Sequence, residues 1–122
     1  MSHAKKRYLI INTSASFDQL HARESLDAAL ILASYDLPVS LCFIGDGVYQ
    51  TQAAQNPELI HAKDFIASFK AVHFYDIEDI YVSEPCLAER SLSDNFAFAD
   101  VSVISQQKIS QLIAAADVVL TF

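Results

Sequence analysis

Five short apolar runs, each followed or preceded by a stretch of helical period, constrain the fold of this chain more than any other feature. They are YLII (8–11), VSLCFI (39–44), DIYV (79–82), VSVI (101–104) and VVLTF (118–122). Each is rich in β-branched or aromatic residues and short enough for a strand. Most lack the polar alternation of a half-wet sheet, so they read as strands buried on both faces. The segment 18–35 places Ala22, Leu26, Ala29, Leu30 and Ala33 on one helical stripe, with Arg23 and Asp27 an i,i+4 pair on the polar side. Pro38 ends that helix. A second helix is expected over 57–74, opening with Pro57 and carrying a wide apolar arc of Leu59, Ala62, Phe65, Ile66, Phe69 and Val72. A last helix is capped by Ser105 and continues through Ile109, Leu112, Ile113 and Ala116. Strand and helix alternating to the last residue imply an α/β fold: a three-layer α/β/α sandwich, Rossmann-like, around a mainly parallel five-stranded sheet.

With 122 residues the chain suffices for one domain and is too short for two, so residues 1–122 are expected to form a single domain with 1–6 as a flexible tail. The hydrophobic fraction of 52% and mean hydropathy of +0.25 are high for so small a soluble unit. A doubly covered parallel sheet raises apolar content, and so does a buried subunit interface. The formal net charge of −7 disfavours direct binding to a phosphate backbone. Two cysteines, Cys42 and Cys86, without CxxC spacing point to a reducing compartment rather than a disulfide framework. The first apolar run is too short for a signal sequence or a membrane span, and the expectation is a soluble, cytoplasmic protein with no membrane association.

Sites in such folds lie beyond the carboxyl ends of the strands. Three junctions are therefore of interest. The first, INTSAS, offers Asn12, Thr13, Ser14 and Ser16 but no glycine, and Gly45 and Gly47 are the only glycines in the chain. Phosphate loops need glycine so that backbone can approach the phosphate, so no nucleotide cofactor is expected. Ser16 with Gln19, or Asp18 alone, can instead cap the first helix. The second junction, GDGVYQ, is a turn. Its Asp46 could serve as metal ligand or general base, but a turn aspartate bonded to its own backbone is the commoner case. His3, His21, His61 and His73 lack ligand spacing, and no metal is expected.

The third junction, SEPC, holds the chemically suggestive residue, Cys86. Proline favours the first helical position, which makes Glu84 the cap and Cys86 the second helical residue, near unpaired N–H groups. Lowering a thiol pKa from about 8.5 to about 7 requires roughly 2 kcal/mol. An exposed helix N-terminus offers about 0.3–1 kcal/mol, and Arg90 up to about 0.5 kcal/mol. Glu84 and Glu89 oppose both. The local sequence alone does not activate Cys86. Cys42, mid-strand between Leu41 and Phe43, reads as a small buried hydrophobe.

The segments ARESLDAAL (22–30), FIGDGVYQ (43–50) and KDFIASFKAVHFYDIEDIYV (63–82) closely resemble the DsrE/DsrF/DsrH-like sulfur-relay family, and within it the TusC (DsrF-like) branch. The similarity runs from about residue 7 to 122, with the motifs in the family's order and separation. It implies the DsrEFH-like fold and a place beside TusB- and TusD-like subunits in a heterohexamer that passes persulfide sulfur onward. The end product in that setting is 2-thiouridine at the tRNA wobble position, with tRNA met only indirectly, through downstream carriers. DsrF-like relatives work in sulfur oxidation. The resemblance places the family's sulfur-accepting cysteine on Ser83, which cannot carry a persulfide, and leaves Cys86 three residues further on. It therefore implies a structural rather than catalytic subunit, with persulfide carriage on Cys86 as the alternative.

Overall fold

The computed structural model describes residues 6–13, 19–51, 77, 79–92, 96 and 101–122, with side chains 19–23 and 50 excepted. Five strands form one sheet: β1 (Tyr8–Asn12), β2 (Val39–Phe43), β3 (Asp79–Ser83), β4 (Val101–Ile104) and β5 (Val118–Thr121). Their order is β4-β3-β2-β1-β5, and every pairing is parallel. The expected strands match to within one residue at each end. Between them lie α1 (Gln19–Ser34), a 3₁₀ segment (Gly45–Thr51), α2 (Glu84–Glu89) and α3 (Gln106–Ala115). The helix expected over 57–74, the Ser16 or Asp18 cap, the Arg23–Asp27 pair, His3, His21, His61 and His73 lie outside the described residues and side chains, as does the tail before Lys6.

Strand order explains the layers. From β1 to β4 each crossover steps one strand in the same direction, and the last returns across the sheet to set β5 beside β1. Right-handed crossovers then put α1 and α2 on one face and α3 on the other. The packing agrees. One face carries Ile10, Leu41, Phe43, Ile80 and Val82 against Leu26, Ala29 and Ala33 of α1 and Leu87 of α2. The opposite face carries Leu9, Ile11 and Cys42 against Ile109 of α3.

The register shows that the two faces differ. The first is apolar across the sheet, for example along Leu120, Ile10, Leu41, Ile80 and Val101. The second is apolar under α3 but carries polar residues on the strands beyond it: Ser40 of β2, Asp79 and Tyr81 of β3 and Ser102 of β4. A helix about 10 Å across covers roughly two strands spaced about 4.8 Å apart. One helix therefore leaves the flank of this face to polar residues.

Helix ends follow local chemistry. α1 closes with the Asp36 N–H on the Ala33 carbonyl and the Leu37 N–H on the Leu32 carbonyl, with Asp36 at φ 60°. This is the paired C-terminal closure in which a short polar residue tolerates left-handed geometry, and Pro38 follows. α2 ends the same way at Ser91, φ 52°. α3 starts as expected, with the Ser105 hydroxyl accepting from the Lys108 N–H at 3.2 Å. The last residues are held to β1: the Phe122 N–H donates to the Ile11 carbonyl, and the Phe122 carbonyl accepts from the Thr13 N–H and hydroxyl.

Candidate functional site

The carboxyl ends of β1, β2 and β3 bring the three junctions together. Each is largely committed to structure. Asn12 is buried; its side-chain oxygen accepts from the Ser25 hydroxyl of α1, and its carbonyl accepts from the Ile44 N–H at 3.0 Å. Its amide nitrogen has no partner. Thr13 is taken up by Phe122, and Ser14 and Ser16 lie outside the described residues. This junction locks β1 to its neighbours.

The two glycines have separate reasons. Gly45 sits at φ +55° in open space, so its need is conformational. A Cβ on Gly47 would lie 1.9 Å from the Asn12 carbonyl oxygen, so its need is close backbone approach. Asp46 between them does not follow the expected turn pattern. Its Oδ1 accepts from Nε and Nη2 of Arg90, both at 3.1 Å. The pair joins the β2 junction to the end of α2, across 44 positions of sequence that no local rule spans.

Around Cys86 the expected cap is corrected. Ser83, not Glu84, is the N-cap of α2, in extended conformation, with its hydroxyl accepting from the Cys86 N–H at 3.3 Å. Pro85 falls at the second helical position and Cys86 at the third. Serine is the stronger cap, and with proline second the cap oxygen takes the third N–H, which belongs to Cys86. Ser83 is wholly buried. Cys86 is half-buried against the α1-side core, and its Sγ accepts the Gly45 N–H at 3.2 Å. Arg90 lies close enough to Cys86 for their charges to interact, but none of its hydrogen bonds goes to the sulfur. Its guanidinium donates to Asp46, to the Cys86 carbonyl at 3.2 Å and to Glu89 at 3.5 Å. The hydrogen bond to Asp46 holds that guanidinium firmly protonated.

Cys42 is fully buried on the α3 side. Burial, with a smaller contribution from Cys86, pushes its pKa up to about 12. It is an inert thiol at neutral pH. Among the described residues no group of three His, Cys, Asp or Glu side chains could hold a metal ion, and no helix is long and apolar enough to cross a membrane. The arrangement joins one half-buried thiol, one backbone donor to it and an adjacent ion pair. The described residues give that thiol no side-chain base.

A parallel sheet in this order, with its junctions closed by Gly45, Gly47 and a capped Ser83-Glu84-Pro85-Cys86 turn, defines the class. The model of the DsrE/DsrF-like family matches residues 6–122, and the chain belongs to that family. Within it, the chain is 34% identical over 109 residues to the TusC homolog of Aliivibrio fischeri, covering 89% of this chain and 92% of the relative. It is also 34% identical over 113 residues to the TusC homolog of Pseudomonas aeruginosa, covering 93% and 95%. The crystal structure of the YchN protein from E. coli superposes with a TM-score of 0.80 at 19% identity, over 96% of this chain and 99% of that one. That likeness is one of fold.

Proposed function

We propose that this chain is a TusC-like subunit of a cytoplasmic sulfur-relay complex, one domain of a heterohexamer with TusB- and TusD-like subunits. The complex supports persulfide transfer toward 2-thiouridine at the tRNA wobble position, and this subunit is structural within it. The observation that carries the structural role is Ser83. At the position where the resemblance puts the family's sulfur-accepting cysteine, a buried serine spends its oxygen capping α2. Likeness to two TusC homologs over nearly the whole chain supports the assignment to that branch. Ile31 on α1 and Tyr35 just past its end are 59% and 73% exposed and supply apolar surface of the kind that partners cover.

Co-expression with TusB- and TusD-like partners, followed by mass and subunit composition, tests this reading. Joint purification of all three supports it. A stable monomer with no affinity for either partner refutes it.

One observation favours a second reading, in which Cys86 itself carries persulfide: the Gly45 N–H directed at its sulfur would stabilise negative charge there. Intact-mass analysis after incubation with a persulfide donor separates the two. The structural role requires that Cys86→Ser leave relay by the assembled complex intact. Added sulfur at Cys86, with relay lost in that variant, requires the second reading. A DsrF-like place in sulfur oxidation is distinguished by which acceptor the assembled complex serves.

A further inference from the structure

The contacts around Cys86 close into a ring that spans two elements. Its Sγ accepts the Gly45 N–H at 3.2 Å, and its carbonyl accepts from Nη1 of Arg90 at the same distance. The same guanidinium donates through Nε and Nη2 to Oδ1 of Asp46, both at 3.1 Å. Gly45 and Asp46 are chain neighbours at the start of the 3₁₀ segment, and Arg90 caps the end of α2. The ion pair and the contact to sulfur therefore rest on adjacent residues, and neither moves far without the other.

The surroundings make this stretch separable from the core. Beyond Asp46 the 3₁₀ segment is anchored. Gly47 sits against the Asn12 carbonyl, its N–H donates to the Ile44 carbonyl at 2.9 Å, and Val48 is wholly buried. Gly45 is different. A Cβ there would meet nothing within 4 Å, so there is room around it, and glycine turns readily through the φ values on either side of its +55°. The Asp46 side chain is 62% exposed and that of Arg90 21%. Parting them leaves no wholly buried charge and disturbs no core packing. What it frees is the Gly45 peptide from the sulfur.

We propose that the Asp46–Arg90 pair is a latch on Cys86. Closed, it holds the Gly45 peptide against the sulfur and limits the access of reagents to the thiol. Open, it lets that peptide swing away and exposes the thiol. The latch governs access to Cys86 whether or not this residue carries persulfide in an assembled complex, so its failure would leave the proposed function untouched.

Alkylation of the full chain by iodoacetamide under native conditions, followed at each cysteine by peptide mass, tests the latch. The Cys86 sulfur displaces iodide from the reagent's carbon, and the thiol proton passes to solvent. Cys42, fully buried, is labelled only when the chain unfolds and so measures global opening in the same sample. An exposed ion pair shifts a closed–open equilibrium by about two- to fivefold. Asp46→Asn and Arg90→Gln should therefore each accelerate labelling of Cys86 by about that factor, with labelling of Cys42 unchanged. The direction of the two effects separates a latch from direct electrostatics. A carboxylate near a thiol disfavours the reactive thiolate and a guanidinium favours it. Were charge alone at work, Asp46→Asn would speed labelling and Arg90→Gln would slow it. The proposal fails if either variant labels Cys86 no faster than the parent chain does. It fails equally if labelling of Cys42 rises in step with that of Cys86, because the pair would then serve only global stability.

Discussion

Ser83 and Cys86 are separated by three positions and by a complete difference in role. The serine is buried and bonded to the Cys86 N–H; the cysteine reaches a backbone donor and stays half-exposed. Replacing Ser83 by alanine should cost about 1 kcal/mol, the usual loss for a cap, measured by denaturant unfolding. The glycines give a sharper contrast. Gly47→Ala forces a methyl into the Asn12 carbonyl and should cost at least about 2 kcal/mol, because backbone must move. Gly45→Ala meets open space and should cost only about 1 kcal/mol for its positive φ. Cys42 predicts a pH dependence. Its pKa rises from an ordinary 9.0 to about 12 on folding, so above pH 9 the unfolded state holds fewer protons than the folded one. The stability it contributes is whole below pH 9 and is lost as pH rises toward 12, by about 1.4 kcal/mol per pH unit. Unfolding measured across that window should show the slope, and Cys42→Ala should remove this component of it.

At the scale of elements, α3 alone covers the second face among the described helices. Ile109 is its buried contact with Leu9, Ile11 and Cys42. Ile109→Ala should therefore cost about 2–5 kcal/mol, and Ser105→Ala about 1 kcal/mol through the cap. If calorimetry found Ile109→Ala as mild as the cap loss, α3 would not be the cover described. These elements were legible in the sequence because their signals are local: β-branched runs for the strands, Ser105 before a 3.6-residue stripe for α3, Pro38 after α1. The α2 cap was misplaced by one residue because proline is tolerated at either of the first two helical positions, and serine's stronger capping decided between them. Asp46 with Arg90, Asn12 with Ser25, and the contact that requires Gly47 were not legible. Each joins residues from different elements that only the packed fold brings together. The alternation of Ser40, Asp79 and Tyr81 was present in the sequence, but its meaning depends on which face α3 leaves open.

For the whole molecule, the high hydropathy has two sources. The first face is apolar across five strands, and apolar side chains also remain outside, including Ile31, Tyr35, Ile113 and Val119. Membership of the DsrE/DsrF-like family, together with a serine at the position where the resemblance puts the sulfur-accepting cysteine, makes assembly rather than independent chemistry the central claim of the proposed function. The most direct measurement is the native mass and subunit composition of the chain co-expressed with TusB- and TusD-like partners. The account predicts one complex containing two copies of each subunit, formed equally well by Cys86→Ser. A chain that purifies apart from both partners as a stable monomer would contradict it.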